Sequence, residues 1–121
     1  MSEAPRVGID LLEIERLELA LERRPQLALR LFTDQEREYA AGNVRPAQHL
    51  AARFCAKEAA TKALGLSVLR PLEIEVVSEA DGSPSLLLSG LASERAAELS
   101  KSLTCSLTHT RSTACAIVIA G

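Results

Sequence analysis

The sequence predicts an α+β fold in which N-terminal helices and a long central helix pack on a mainly antiparallel sheet. Three observations predict it. Helical stretches come first and strand-like alternation mostly later. An alanine-rich run is entered at Pro46 and stopped at Gly65, which delimits one long helix. The turn Glu79-Ala80-Asp81-Gly82-Ser83-Pro84 lies between two strand-like stretches, as in a hairpin. With 121 residues the chain suggests a single domain, 1–121. Phe32, Tyr39 and Phe54 are its only aromatic residues, so the core must be built from Leu, Ile, Val and Ala.

In chain order, Val7-Gly8-Ile9-Asp10-Leu11 reads as a short buried strand, with Gly8 marking a close backbone approach. Leu12 to Arg24 reads as a helix that ends before Pro25, and a second short helix covers Gln26 to Leu31. Thr33 and Glu36 fit a capping box, opening a helix that ends near Gly42-Asn43. The central helix follows. Leu72 to Val77 and Ser85 to Leu88 form the hairpin strands, and Ser89 or Gly90 caps a helix over Leu91 to Leu99. Leu103 to His109 alternates as a strand with Leu103, Cys105, Leu107 and His109 on one face. Ala114 to Ala120 closes the chain as a strand that is apolar on both faces, which points to a covering helix or a subunit contact.

Composition excludes several functions. A net charge of -2 and the scarcity of aromatics argue against a nucleic-acid binder. No window approaches the ~18–20 apolar residues of a membrane span, and Met1 to Arg6 is too short and polar for a signal peptide. Cys55, Cys105 and Cys115 are isolated in apolar runs with no Cys-x-x-Cys pair, as expected of buried thiols in a cytoplasmic protein.

Three loci place polar groups in apolar settings: Asp10, the central helix, and His109 behind Ser106 and Thr108. On a helical wheel Arg53, Lys57, Glu58, Thr61 and Lys62 take one half, and Cys55, Ala56, Ala59, Ala60 and Ala63 the other. The small half lets the backbone lie close to what it covers. The polar half sets one carboxylate among three cations and holds two of the chain's three lysines, which suits phosphates and a metal ion. Glu58 and Lys62 also form an i,i+4 pair that can simply decorate a solvated face. Asp10 can likewise cap the helix after it, and His109 can be an ordinary core or edge histidine. A Ser106–His109–Asp10 triad lacks the Gly-x-Ser-x-Gly elbow, and no Cys/His cluster suggests zinc. Two separated carboxylates beside Lys and Arg suit Mg²⁺, which takes one or two carboxylates and fills its octahedron with water and phosphate oxygens.

The run Gly8-Ile9-Asp10-Leu11-Leu12-Glu13-Ile14-Glu15-Arg16 resembles the opening signature of the holo-acyl carrier protein synthase family, the small phosphopantetheinyl transferases. Arg53-Phe54-Cys55-Ala56-Lys57-Glu58-Ala59-Ala60-Thr61-Lys62-Ala63 is similar to its second motif, Gly82-Ser83-Pro84 to its turn, and Ser106-Leu107-Thr108-His109-Thr110 to its late strand. Four motifs match in register over essentially the whole chain. The loop Gly65-Leu66-Ser67 departs from the Gly-Thr-Gly that the family often carries there.

The resemblance implies a phosphopantetheinyl-transferase-like fold. It also implies transfer of the phosphopantetheine arm of coenzyme A to a serine of apo-acyl carrier protein, in fatty acid biosynthesis. By resemblance Asp10 and Glu58 bind Mg²⁺ and Lys62 steadies the pyrophosphate. Arg53, Lys57, Thr108 and His109 hold the nucleotide and its phosphates. Glu58, directly or through a metal-bound water, takes the serine proton in preference to His109. Family likeness further implies a homotrimer with sites between subunits. An acidic carrier would dock on a basic first helix at Arg16, with Arg23 or Arg24. Rival readings are the same transfer to a polyketide or peptide synthase carrier, a metal-dependent phosphohydrolase, and a non-catalytic oligomeric module.

Overall fold

The structure, a computed structural model, describes residues 4–121; Met1, Ser2 and Glu3, the start of the polar N-terminal stretch, lie outside the described residues. Strand β1 (Arg6–Glu13) leads into α1 (Ile14–Arg23), α2 (Leu27–Leu31), α3 (Asp34–Ala41) and the long α4 (Pro46–Leu64). A 3-10 turn over Pro71–Glu73 precedes β2 (Ile74–Ser78), β3 (Pro84–Leu88), α5 (Gly90–Leu99), β4 (Leu103–His109) and β5 (Thr113–Ala120). The class is α+β, as predicted. All strand pairs are antiparallel and form two sheets, β1-β5-β4 and the separate hairpin β2-β3.

Two boundaries move. Leu12 and Glu13 belong to β1 rather than to the first helix, because they pair with Ala114 and Thr113 of β5. The helix starts at Ile14, whose N–H donates to the Ser112 carbonyl at 2.9 Å. Further on, Pro71 opens a 3-10 turn, so the predicted strand begins at Ile74 instead of Leu72.

Helix α4 lies against the inner face of the three-stranded sheet. A Cβ on Gly8 would sit 1.9 Å from the Ala59 carbonyl oxygen, so β1 touches the helix backbone itself. From β5, Ala114, Ala116, Val118 and Ala120 fill the same layer. The close approach inferred from Gly8 and the small helix residues is thereby observed. At its end, Gly65 adopts φ +68°, the left-handed cap. Arg6 Nε donates to Ala63 O at 2.7 Å and Arg95 Nε to Leu64 O at 2.8 Å, placing two cations at the negative end of the helix dipole.

The far side of α4 is not wet, which corrects the helical-wheel reading. Residues of α3, β2 and α5 pack over it, leaving Arg53 only 6% exposed and Lys57 fully buried. Lys57 Nζ donates to Glu36 Oε1 at 2.8 Å, Pro71 O at 2.6 Å and Ile74 O at 2.8 Å. The predicted capping box between Thr33 and Glu36 is present, and Glu36 Oε2 also accepts the Val76 N–H at 2.8 Å. One buried carboxylate therefore ties α3, α4 and β2 together.

Among the described residues nothing covers the outer face of the sheet in this way. Val7, Ile9 and Leu11 of β1 are 60%, 57% and 67% exposed, beside Ile119 of β5 at 43%. Strand β5 is thus apolar on both faces for two reasons: α4 covers one, and the other adjoins this exposed apolar patch. No helix among the described residues is long and apolar enough to cross a membrane.

Candidate active site

Alternation along β1 turns Gly8, Asp10 and Leu12 toward α4 and Val7, Ile9 and Leu11 away from it. With Gly8 seated on Ala59, Asp10 meets the next polar positions of the helix. Asp10 and Glu58 line one open cleft of about 380 Å³, together with Arg16, Leu17 and Phe54. Lys62 closes its edge: Nζ donates to Ile9 O at 2.9 Å and stands 3.4 Å from Asp10 Oδ1. Among the described residues the ion pair of Lys62 is with Asp10, so the lysine bridges helix to strand instead of decorating α4. Asp10 caps no helix, since α1 begins at Ile14 with Glu13 at its cap.

The two carboxylates of the cleft raise each other's cost of ionisation. Burial pushes the Glu58 carboxyl above its ordinary range, the Asp10 charge pushes it further, and Lys62 opposes both. Two carboxylates held together against repulsion form a hard-oxygen donor set suited to a divalent cation. Among the described residues no group of three or more His, Cys, Asp or Glu is placed to hold a metal ion. Beside them the Cys55 thiol is pushed up to about 12, first by burial and then by Asp10. It stays protonated and acts as a small apolar filler.

A second cleft opens on another side of α4, since Arg53 and Glu58 are roughly 140° apart on the helix. Tyr39, His49, Arg53, Ser78, Thr108 and His109 line it. The Arg53 guanidinium lies 4.1 Å over the Tyr39 ring and donates from Nη2 to Ser78 Oγ at 3.2 Å. Its Nε is buried without an acceptor. Such an unmet donor costs about 1–3 kcal/mol, so the position is made for a ligand oxygen or water. His109 is exposed at the strand end, not on a dry face as its alternation suggested.

The structure thus sorts the predicted residues into two sets. Asp10, Glu58 and Lys62 come together with Arg16 at the mouth, while Arg53, Thr108 and His109 come together elsewhere. Lys57 joins neither. Its three donors are consumed inside the fold, so the expectation that it binds coenzyme A is replaced by a structural role. The triad does not assemble, because Ser106 lies among Thr104, Ile117 and Ile119 on the other face of the sheet from Asp10. Arg23 and Arg24 are exposed at the end of α1, and Arg45 holds that helix through Glu18 at 3.1 Å. Phe54, His49 and Tyr39 were missed. The signal for His49 was its spacing, four residues before Arg53 on one helix face.

Comparison with known proteins identifies the family. Residues 6–118 match the family model of the 4'-phosphopantetheinyl transferase superfamily. The holo-[acyl-carrier-protein] synthase of Streptomyces griseus is 49% identical over 116 residues, covering 94% of this chain and 95% of that protein. The crystal structure of the holo-[acyl-carrier-protein] synthase from Neisseria meningitidis superposes with a TM-score of 0.87 at 26% identity, covering 96% of this chain and 97% of that one. A holo-(acyl-carrier-protein) synthase from Bacillus anthracis, solved in complex with CoA (3',5'-ADP), gives a TM-score of 0.78 at 31% identity over 95% of this chain and 94% of that one. With a carboxylate pair and a lysine at an open cleft, and relatives of this kind along nearly its whole length, the chain belongs to the 4'-phosphopantetheinyl transferase superfamily, among its holo-[acyl-carrier-protein] synthases.

Proposed function

We propose that this chain transfers the phosphopantetheine arm of coenzyme A to a serine hydroxyl of apo-acyl carrier protein. It does so as a Mg²⁺-dependent, cytoplasmic homotrimer of one domain per chain, in support of fatty acid biosynthesis. The observation that carries the reading is the meeting of Asp10, Glu58 and Lys62 at one cleft, from a strand and a helix far apart in sequence. In the reaction the serine oxygen attacks the phosphorus next to the pantetheine arm. A new O–P bond forms, the pyrophosphate P–O bond breaks, and adenosine bisphosphate leaves. The serine proton passes to Glu58, directly or through a water.

Asp10 and Glu58 would hold the Mg²⁺, which when bound supplies charge neutralisation to the pyrophosphate. Lys62 is fixed by Ile9 O and Asp10 and turns its remaining donor capacity to the same oxygens. In the second cleft Arg53, Thr108 and His109 take the nucleotide and its other phosphate. Because the two clefts open on different sides of α4, one coenzyme A molecule would span an Asp10 cleft and the Arg53 cleft of a neighbouring copy. The exposed face of Val7, Ile9, Leu11 and Ile119 supplies the contact between copies. Arg16, Arg23 and Arg24 offer an acidic carrier a basic edge beside the cleft, and salt should weaken that encounter.

The test is mass spectrometry of apo-acyl carrier protein incubated with coenzyme A, Mg²⁺ and this protein. A gain of one phosphopantetheine, abolished by EDTA, is expected, and isolated polyketide and peptide synthase carriers measured alongside establish the preferred acceptor. An unmodified carrier, or coenzyme A cleaved with no carrier present, contradicts the reading.

A further inference from the structure

The Arg53 cleft contains more cationic and hydrogen-bonding capacity than the residues assigned to it use. Its walls come from five elements and one turn. Tyr39 stands on α3, His49 and Arg53 on α4, Val76 and Ser78 on β2, and Leu107, Thr108 and His109 on β4, with Gly82 and Pro84 from the hairpin turn and β3. None of these lining residues is a carboxylate. Arg53 is almost completely buried there with Nε unmet, so the cleft presents positive charge with no counter-ion of its own. His49 is half-buried one turn before Arg53, with its ring edge-on to Tyr39 at 5.7 Å and 74°. The same tyrosine carries the Arg53 guanidinium, so both groups are oriented by one ring.

We propose that His49 is a further ligand-binding residue of this cleft. It takes up a proton as a phosphate monoester dianion settles beside Arg53, and so ties affinity for that phosphate to pH. This rests on the reading of the cleft as the nucleotide site. The proposed function gives the pyrophosphate to Lys62 and to the cation that Asp10 and Glu58 would hold, which leaves the monoester of coenzyme A for the Arg53 cleft.

In the free protein His49 is held below its ordinary range by burial first, then by Arg53 and by His109. It is therefore neutral at pH 7. The facing titratable groups are Tyr39, Arg53 and His109, and the hairpin contributes none. A bound dianion reverses the local sign of charge and favours the imidazolium. More protons are then bound in the complex than in its parts, so binding tightens as pH falls. Neutral His49 in the empty cleft also avoids adding a second repelling cation beside Arg53.

The test compares coenzyme A with dephospho-coenzyme A, which lacks the monoester, by calorimetry in Mg²⁺ between pH 6 and 8.5. For the native protein the preference for coenzyme A should grow about three- to tenfold as pH falls across this range, a tenfold change matching one pKa unit. His49→Gln should flatten that trend and weaken coenzyme A binding several-fold at pH 6.5, with no matching loss for dephospho-coenzyme A. His49→Phe keeps a ring beside Tyr39 and should behave alike, which separates lost charge from lost packing. If both variants keep the native preference at every pH, the proposal is overturned. Arg53→Gln locates the fault. If it too leaves coenzyme A affinity intact, the nucleotide site lies elsewhere and the underlying reading fails; if it weakens binding while the His49 variants do not, only the role of His49 is lost.

Discussion

Glu58 and Lys57 are neighbours in sequence with opposite tasks. Glu58 titrates higher in the folded protein than in an unfolded chain, because burial and Asp10 disfavour its charge. Its ionised form therefore weakens the fold above that raised value, and the penalty disappears as pH falls through it. Glu58→Gln should be at least as stable as the native protein at pH 7 by thermal melting, with the advantage vanishing in acid, while phosphopantetheine transfer drops by 10²-fold or more, the order of a lost acid–base group. A variant that melts lower at pH 7 yet turns over normally would refute both roles. Lys57 is the structural member of the pair. Burial lowers its affinity for protons and Glu36 raises it. Lys57→Met strands the buried Glu36 carboxylate, and urea denaturation should show a loss of about 3–5 kcal/mol. The coenzyme A KM of the folded fraction should not change; a stable variant with a selectively raised KM would return Lys57 to the site. The sequence shows Lys57 on the polar side of a helix. It does not show that Glu36, Pro71 and Ile74 converge there, because those contacts lie 14 to 21 residues away in the chain. His49 escaped notice for the same reason, since its neighbours Tyr39 and His109 come from other elements.

Among the elements, β1 and α4 decide the geometry. Gly8 lets β1 rest on the helix backbone, and Asp10 follows two residues on along the same face. A methyl group at Gly8 would meet a carbonyl oxygen, which cannot swing aside as a side chain can. Gly8→Ala should cost about 1–3 kcal/mol by overpacking, and it should cut activity beyond that loss by moving Asp10 away from Glu58 and Lys62. An unchanged melting temperature and full activity would show that the strand has slack. Signals that act over a few residues were legible: the Thr33–Glu36 capping box, the Gly65 stop, the Gly82 turn and the alternation of β4. Boundaries that depend on a distant partner were not. Leu12 and Glu13 extend β1 because β5 is there to pair with them. The N–H of Ala92 in the first turn of α5 is met by Glu73, whereas the side chain of the expected cap Ser89 makes no capping bond.

At the scale of the whole molecule, the layered fold leaves one apolar sheet face without cover among the described residues, and it separates the predicted binding residues into two clefts. Both facts are what the proposed trimer would require. Ile9→Glu places a charge at the centre of the exposed face. It should shift the protein from trimer to monomer in sedimentation velocity and abolish transfer, although each protomer still contains Asp10, Glu58 and Lys62. An active monomer would mean that one protomer suffices. The fold class was legible from periodicity and composition, whereas the pairing of Asp10 with Glu58 came from family likeness and was then met in the geometry of the cleft. Whether a divalent cation bridges those two carboxylates can be seen directly. Anomalous diffraction from crystals grown with coenzyme A and Mn²⁺, as a stand-in for Mg²⁺, should show one strong peak within bonding distance of both Asp10 and Glu58 and of a pyrophosphate oxygen. Coenzyme A bound with no peak there, or with the ion on other residues, would contradict the account.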